Sequence, residues 1–342
     1  MTKNQNDPSI KQWEKLYDLA DKIKSLEPWK YFLEMDIIEV APPGEEPYYC
    51  SVMGSRNECN GIAIYRGKNG LAKFCKLMTE TELPEFFGRN LLDAMALYWG
   101  DREELAPVDR KVIKSLGRSY RGRGEWPYFR EFSPGLYPWY FTATDAEAAG
   151  EALEQVHEGI KDVLDSHSER ILDEGKRICR RYNSTIGEWQ SVTEPFVTEV
   201  EAETEACMIT DELMLRRLLK KKRINSELEY DVPYIPFPIK GKKGQRPYYP
   251  RIAVLADCVR GNIEIQYPFE AGDDLHSIVL WILSEYIEQT GRPKIIHVRD
   301  ELFLGIISDF CKKLKIDVDM CGTLEVVDEY LESLLEDISL GE

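Results

Sequence analysis

Residues 291–322 read GRPKIIHVRDELFLGIISDFCKKLKIDVDMCG. Lys294–Val298 is a short β-branched run, Leu302–Leu314 repeats its apolar residues at helical spacing, and Asp317–Met320 is a second short strand. A helix of that length between two strands is a crossover, so the strands it joins run parallel in a sheet covered by helices. Outward from this unit, Ile252–Ala256 and Ile263–Phe269 flank Arg260-Gly261-Asn262 and form an antiparallel pair. Helix Asp274–Gln289 places Leu275, Ile278, Val279, Ile282, Leu283, Tyr286 and Ile287 on one face and stops at Gly291 and Pro293. Helix Leu324–Ile338 closes the pattern. Residues 248–342 therefore read β-β-α-β-α-β-α, an α/β domain with a mixed sheet and an acidic tail.

A chain of 342 residues exceeds one ordinary core and suits two domains. Residues 1–166 read as an aromatic-rich α+β domain of two hairpin-helix units. Asp7-Pro8-Ser9 caps a helix carrying Trp13, Leu16, Tyr17, Ala20, Ile23 and Leu26, which ends before Pro28. Strands Ile37–Val40, Tyr48–Met53 and Gly61–Tyr65 follow, then helix Leu71–Met78. In the second round, helix Val108–Leu116 leads into WPYFREFSPGLYPWYF (126–141), two aromatic strands about a Pro134-Gly135 turn, and then into a long helix, Ala146–Leu164. Between the domains, 167–247 reads as connector and basic linker: KRICRR (176–181), the acidic run TEVEAETE (198–205), RRLLKKKR (216–223) and KGKKGQR (240–246), interrupted by prolines and glycines.

The formal net charge of −17 excludes generalised attraction to phosphate backbones or anionic membranes, though local basic patches leave nucleic acid open as a partner. Eight cysteines lie scattered without a CxxC pair or a zinc-type Cys/His spacing and read as reduced thiols. The polar start MTKNQNDPSIKQWEK lacks a signal sequence, and no apolar stretch reaches the ~18 residues needed to span a bilayer. A cytoplasmic protein is the expectation.

YYCSVMG, GIAIYRGKNGL and LGRSYRGRGEWPYFREFSPGLYPWYF together resemble a bacterial domain of unknown function over roughly 13–166. RIAVLADCVRGNIEI with RPKIIHVRDEL resembles a second such domain, over 248–335, that often follows it. The resemblance implies a two-domain protein and no activity, cofactor or catalytic residue.

Three constellations could carry chemistry. Asp257 ends the first strand of the C-terminal domain and Asp300 ends a later one; adjacent and parallel, they would share the edge where open α/β sheets place their sites, with Glu301 beside them and Glu325 or Asp328 able to join. That set is similar to the ribonuclease H and integrase group, whose carboxylates hold two Mg or Mn ions for in-line phosphoryl transfer. The departure is that this group has three antiparallel strands before its first helix, and only two are readable. The bland alternative makes Asp300 a helix cap and Asp257 a turn brace. Second, Arg121, Arg123 and Arg130 alternate with Trp126, Tyr128 and, further on, Trp139. This is the chemistry of a protein interface, a small-ligand pocket or a single-stranded nucleic-acid platform. Third, the two basic runs over 216–246 could dock phosphate or pair with the chain's own acids.

GIAIYRGKNG (61–70) is no phosphate loop: five residues separate Gly61 from Gly67, and Asn69 follows Lys68 where a hydroxyl is required. His157, His167, His276 and His297 fall in no catalytic spacing, and no nucleophile elbow or dinucleotide fingerprint is present. These readings converge on a non-catalytic module binding a protein or small ligand, with a metal-dependent nuclease and single-stranded nucleic-acid binding as the alternatives.

Overall fold

The structure, a computed structural model, describes residues 6–55, 59–79, 88–166, 175–198, 200, 207–240, 245–270 and 272–340. His167, residues 201–205 of the acidic run and 241–244 of KGKKGQR lie outside them. The chain divides into two compact units, one of Met1–Thr79, Leu92–Ser133 and Pro138–Glu201, the other of Glu80–Leu91, Pro134–Tyr137 and Ala202–Glu342. No helix among the described residues is long and apolar enough to cross a membrane.

The first unit contains α1 (Ile10–Ser25), β1 (Ile38–Ala41), β2 (Tyr48–Met53), β3 (Asn60–Arg66) and α2 (Gly67–Thr79); α3 (Gly88–Leu91) belongs to the second unit. It continues with β4 (Ala94–Gly100), α4 (Pro107–Ser115), β5 (Trp126–Phe132), α5 (Ala143–Ser166), β6 (Lys176–Asn183) and β7 (Glu188–Pro195). Its seven strands are ordered β5-β4-β3-β2-β1-β6-β7, antiparallel throughout except for β1 beside β6. Alternation puts Cys50, Val52, Ile62 and Ile64 under α1 and α5, and Tyr49, Ala63 and Tyr65 under α2. With both faces covered, these strands are apolar at nearly every position.

The second hairpin-helix unit differs from expectation. β5 pairs along its length with β4, not with 136–141, where a single bridge joins Glu131 to Trp139. Pro134 and Pro138 lack the amides a ladder needs. β4, AMALYWG, is a continuous apolar run whose periodicity does not separate strand from helix.

The expected connector is also corrected, because much of 167–247 is ordered structure. β6 lies parallel to β1, with Ile38 opposite Ile178, and β7 forms the sheet edge. KRICRR escapes a hydrophobic pattern because its inward Arg180 is met by Asp162 at 2.9 Å and by Gln155 at 3.0 Å.

The second unit contains α6 (Glu212–Leu219), β8 (Glu227–Asp231), β9 (Arg251–Asp257), β10 (Asn262–Phe269), α7 (Leu275–Gln289), β11 (Ile295–Val298), α8 (Glu301–Leu314), β12 (Asp317–Met320) and α9 (Glu325–Leu340). The order is β10-β9-β8-β11-β12, with β10, β9 and β8 antiparallel in turn and β8, β11 and β12 parallel. β8 is the third antiparallel strand, lying in the supposed linker at the centre of the sheet. Three antiparallel strands followed by two helical crossovers make this a ribonuclease H-like arrangement. Leu228 and Tyr230 pack with α6, α7 and α8 on one face, while α9 covers Ile252, Val254 and Ala256 on the other.

Candidate functional site

At the carboxyl ends of the parallel strands, β8 finishes on Asp231 and β11 is followed by Arg299 and Asp300. Asp231, like Glu229, faces α9, since Leu228 and Tyr230 face the other way. Arg299 also faces α9, where its guanidinium is fully enclosed. Its Nε lies 2.9 Å from Asp231 Oδ2, Nη1 donates to Asp328 Oδ2 at 3.2 Å, and Nη2 to Asp328 Oδ1 at 2.5 Å. Both carboxylates have further donors: Val232 N at 2.8 Å for Asp231, Leu324 N at 3.1 Å for Asp328. Glu229 accepts from Val327 N at 2.9 Å and so ties the start of α9 to the central strand.

Burial raises the Asp231 carboxyl, to about 6, and the Asp300 and Asp328 carboxylates add to the rise while Arg299 opposes it. For Arg299 burial works against the charge, and Asp231 and Asp328 more than restore it. The cluster is two carboxylates closed on one guanidinium.

The pair expected at this edge, Asp257 with Asp300, is not brought together. β9 runs antiparallel, and β8 separates it from β11. Asp257 therefore sits opposite Leu228, at the amino-terminal end of β8, whereas Asp300 lies beyond the carboxyl end of β11. Asp257 accepts from Ser226 Oγ at 2.9 Å, Val259 N at 2.9 Å and Arg260 N at 3.0 Å, which braces the β9–β10 turn. Asp300 caps α8 by accepting from Leu302 N at 2.8 Å. Glu301 occupies the first turn of α8, and Glu325 is exposed at the start of α9. The members sequence reasoning missed are Asp231 and Arg299, the first because its strand was unrecognised and the second because only acids were sought.

The aromatic and arginine stretch splits in two. Trp126 packs edge-on to Tyr120 at 6.0 Å, and Tyr128 stacks on Tyr98 at 5.3 Å. Arg130 donates to Asp109 at 2.9 and 2.6 Å, and lies 5.0 Å from each of the Tyr128 and Tyr140 rings. Trp139 packs on Tyr140 at 5.2 Å. Trp126 and Tyr128 thus pack half-buried against the unit's core, and Arg130 is engaged by Asp109 and two rings. Arg121 and Arg123 are the exposed pair, and Arg123 comes no nearer to Asp101 than 3.9 Å.

A third cluster has no counterpart in the sequence reading. Glu39 on β1, Cys179 on β6 and Glu194 on β7 bring a thiol and two carboxylates within 4.8 Å of one another. Arg177 lies 2.8 Å from Glu39 and 3.6 Å from Glu194, and Arg181 lies 2.7 Å from Glu194. Burial pushes the Cys179 thiol up to about 11, so it stays protonated. A cation here would have to displace two guanidiniums and a proton, and the donor set does not fit a metal better than it fits its own arginines.

No curated protein matches the chain. Solved structures similar to part of the chain include HTLV-2 integrase catalytic core domains in complex with magnesium. The dimeric form is 17% identical, with a TM-score of 0.25, over 36% of this chain and 77% of that one. The trimeric form is 18% identical, with a TM-score of 0.26, over 36% and 76%. Likeness at that level adds nothing to the strand order. Residues 13–180 match the family model of a domain of unknown function, DUF7309, and residues 214–335 that of a second, DUF6930.

Proposed function

We propose that this protein binds a protein or small-molecule partner and carries out no metal-dependent phosphoryl transfer in its C-terminal unit. The observation that carries the reading is Arg299, enclosed between Asp231 and Asp328. Two-metal catalysis needs carboxylates whose oxygens are open to cations a few ångströms apart, one of them activating water. A guanidinium stays protonated at every physiological pH and cannot generate hydroxide. The charge that ions would bring is thus supplied in a form that holds α9 against β8 and β11. Nucleic acid is the second alternative, through Arg121, Arg123 and the basic residues of 216–223, and the cytoplasm is the compartment this reading assumes.

The test is thermal unfolding of the wild type with and without Mg or Mn, beside cleavage assays on single- and double-stranded RNA and DNA. An unchanged melting temperature and no cleavage are expected. A Mn-dependent rise accompanied by cleavage that Asp300→Asn abolishes would overturn the proposal and establish the nuclease instead.

A further inference from the structure

Within the second unit, a cavity of about 490 Å³ opens where α8 ends and β12 begins. Arg223, Lys312 and Lys315 line it with Ser308, above the apolar residues Ile316 and Val318.

The walls are fixed. Arg292 donates through Nε to Lys221 O at 3.1 Å and through Nη1 to Leu314 O at 2.7 Å, tying the segment before β8 to the end of α8. Backbone bonds from Ile224 N to Arg292 O and from Arg292 N to Lys222 O, each 2.9 Å, hold the same segment. Arg223 is steadied by Asp317 at 3.3 Å.

Two features indicate what the cavity takes. Among the described residues, neither Lys312 nor Lys315 has an ion-pair partner, while their neighbour Lys313 is matched by Asp309 at 2.7 Å. Three cations thus line the cavity with one carboxylate, Asp317, while Asp309 interacts with Lys312 from outside the lining, on a chain whose formal charge is −17. Lys315 also adopts the left-handed conformation, φ 59°, at the position ending α8, where glycine is the unstrained choice. Glu27 is the other described non-glycine residue with positive φ. A lysine held at a glycine position, with its side chain lining a basic cavity, is a sacrifice of stability that an anionic ligand explains.

We infer that this cavity binds a phosphate-bearing small molecule, a phosphomonoester or diphosphate, whose anionic group lies between Arg223, Lys312 and Lys315 and whose body rests on Ile316 and Val318. Arg and Lys donors are suited to phosphate oxygens. The site lies at the amino-terminal edge of the parallel strands, away from Arg299, and stands whether or not the reading of Arg299 does.

The experiment is calorimetric titration of the full-length protein with pyrophosphate and with ADP, using sodium chloride of matched ionic strength as the control, on the wild type, Lys312→Gln and Lys315→Gly. Saturable binding is expected, weakened about tenfold or more in each variant, while the unliganded Lys315→Gly protein melts no lower than the wild type. No saturable binding in the wild type, or an affinity in both variants equal to that of the wild type, would overturn the inference. So would tight binding of a single-stranded oligonucleotide, steeply salt-dependent, by a protein that ignores both small phosphates, since that marks a backbone-tracking surface.

Discussion

Replacing Arg299 by methionine keeps most of the aliphatic stem and removes the one cation inside the Asp231–Asp328 cluster. The arginine side chain is 0% exposed, Asp231 3% and Asp328 16%. Removing one partner of an enclosed pair leaves a charge desolvated without compensation, a loss of about 3–5 kcal/mol. Asp328 retains Leu324 N and the start of α9, so the penalty falls mainly on Asp231, which keeps Val232 N as a donor. A loss of about 3–4 kcal/mol in urea unfolding at pH 7 is expected. The deficit should shrink at pH 5, because the orphaned Asp231 carboxyl, already raised by burial, loses the opposing arginine and takes up a proton. Asp231→Leu combined with Arg299→Met should recover most of the loss, since apolar groups of similar volume replace such pairs at little net cost. Manganese should stabilise Arg299→Met and leave the wild type unmoved, by about 2.7 kcal/mol at a hundredfold excess over its Kd. A loss below about 1 kcal/mol, or single-mutant effects that simply add, would refute the claim that the guanidinium is the cluster's counter-ion.

Three further outcomes follow from the same geometry. Asp231 has a folded-state pKa near 6 against an ordinary 3.8, so the folded state holds a proton that the unfolded state has released. Its contribution is therefore present below about pH 4 and lost as pH rises through about 6, and the difference in stability between wild type and Asp231→Asn should follow that course in pH-resolved urea melts. Arg130→Ala breaks an ion pair with side-chain exposures of 13% and 9% and should cost about 3–5 kcal/mol, whereas Arg121→Ala and Arg123→Ala should stay within about 0.5 kcal/mol. Lys315→Gly relieves a left-handed backbone and should raise stability by about 0.5–1 kcal/mol in the same melts.

How far the sequence spoke depended on whether an element announced itself by apolar period. Tyr48–Met53 and Asp317–Met320 appear with the boundaries read from sequence, and α7, α8 and α9 shift by one or two residues. β6 and β8 read as linker because their inward positions are partly charged: Arg180 on β6, Glu229 and Asp231 on β8. Charge on a buried strand is tolerated only where a partner waits across the fold, and the partners Asp162, Val327 N and Arg299 lie 18, 98 and 68 residues distant along the chain. Nothing local records them. The aromatic run at 126–141 divides: Phe129 and Phe141 lie in the core, Trp126 and Tyr128 pack half-buried against it, and Tyr137 is exposed.

The Arg299 cluster was nonetheless derivable once β8 was admitted as a strand. Parallel pairing aligns Glu227 with Ile295, Leu228 with Ile296 and Glu229 with His297. Two more steps of that register set Asp231 beside Arg299, and because side chains alternate along both strands, the two must share the face that α9 covers. Asp300, one residue later, falls off the strand and turns to the amides of α8. The same physics disposes of the other acid groups: Glu39 and Glu194 meet Arg177 and Arg181, and Asp109 meets Arg130. In each case carboxylates that look like metal ligands in isolation are answered by a guanidinium from a neighbouring strand or loop. A search for metal chemistry in a chain of this kind therefore has to ask which arginine shares the register of each buried acid before it counts the acids.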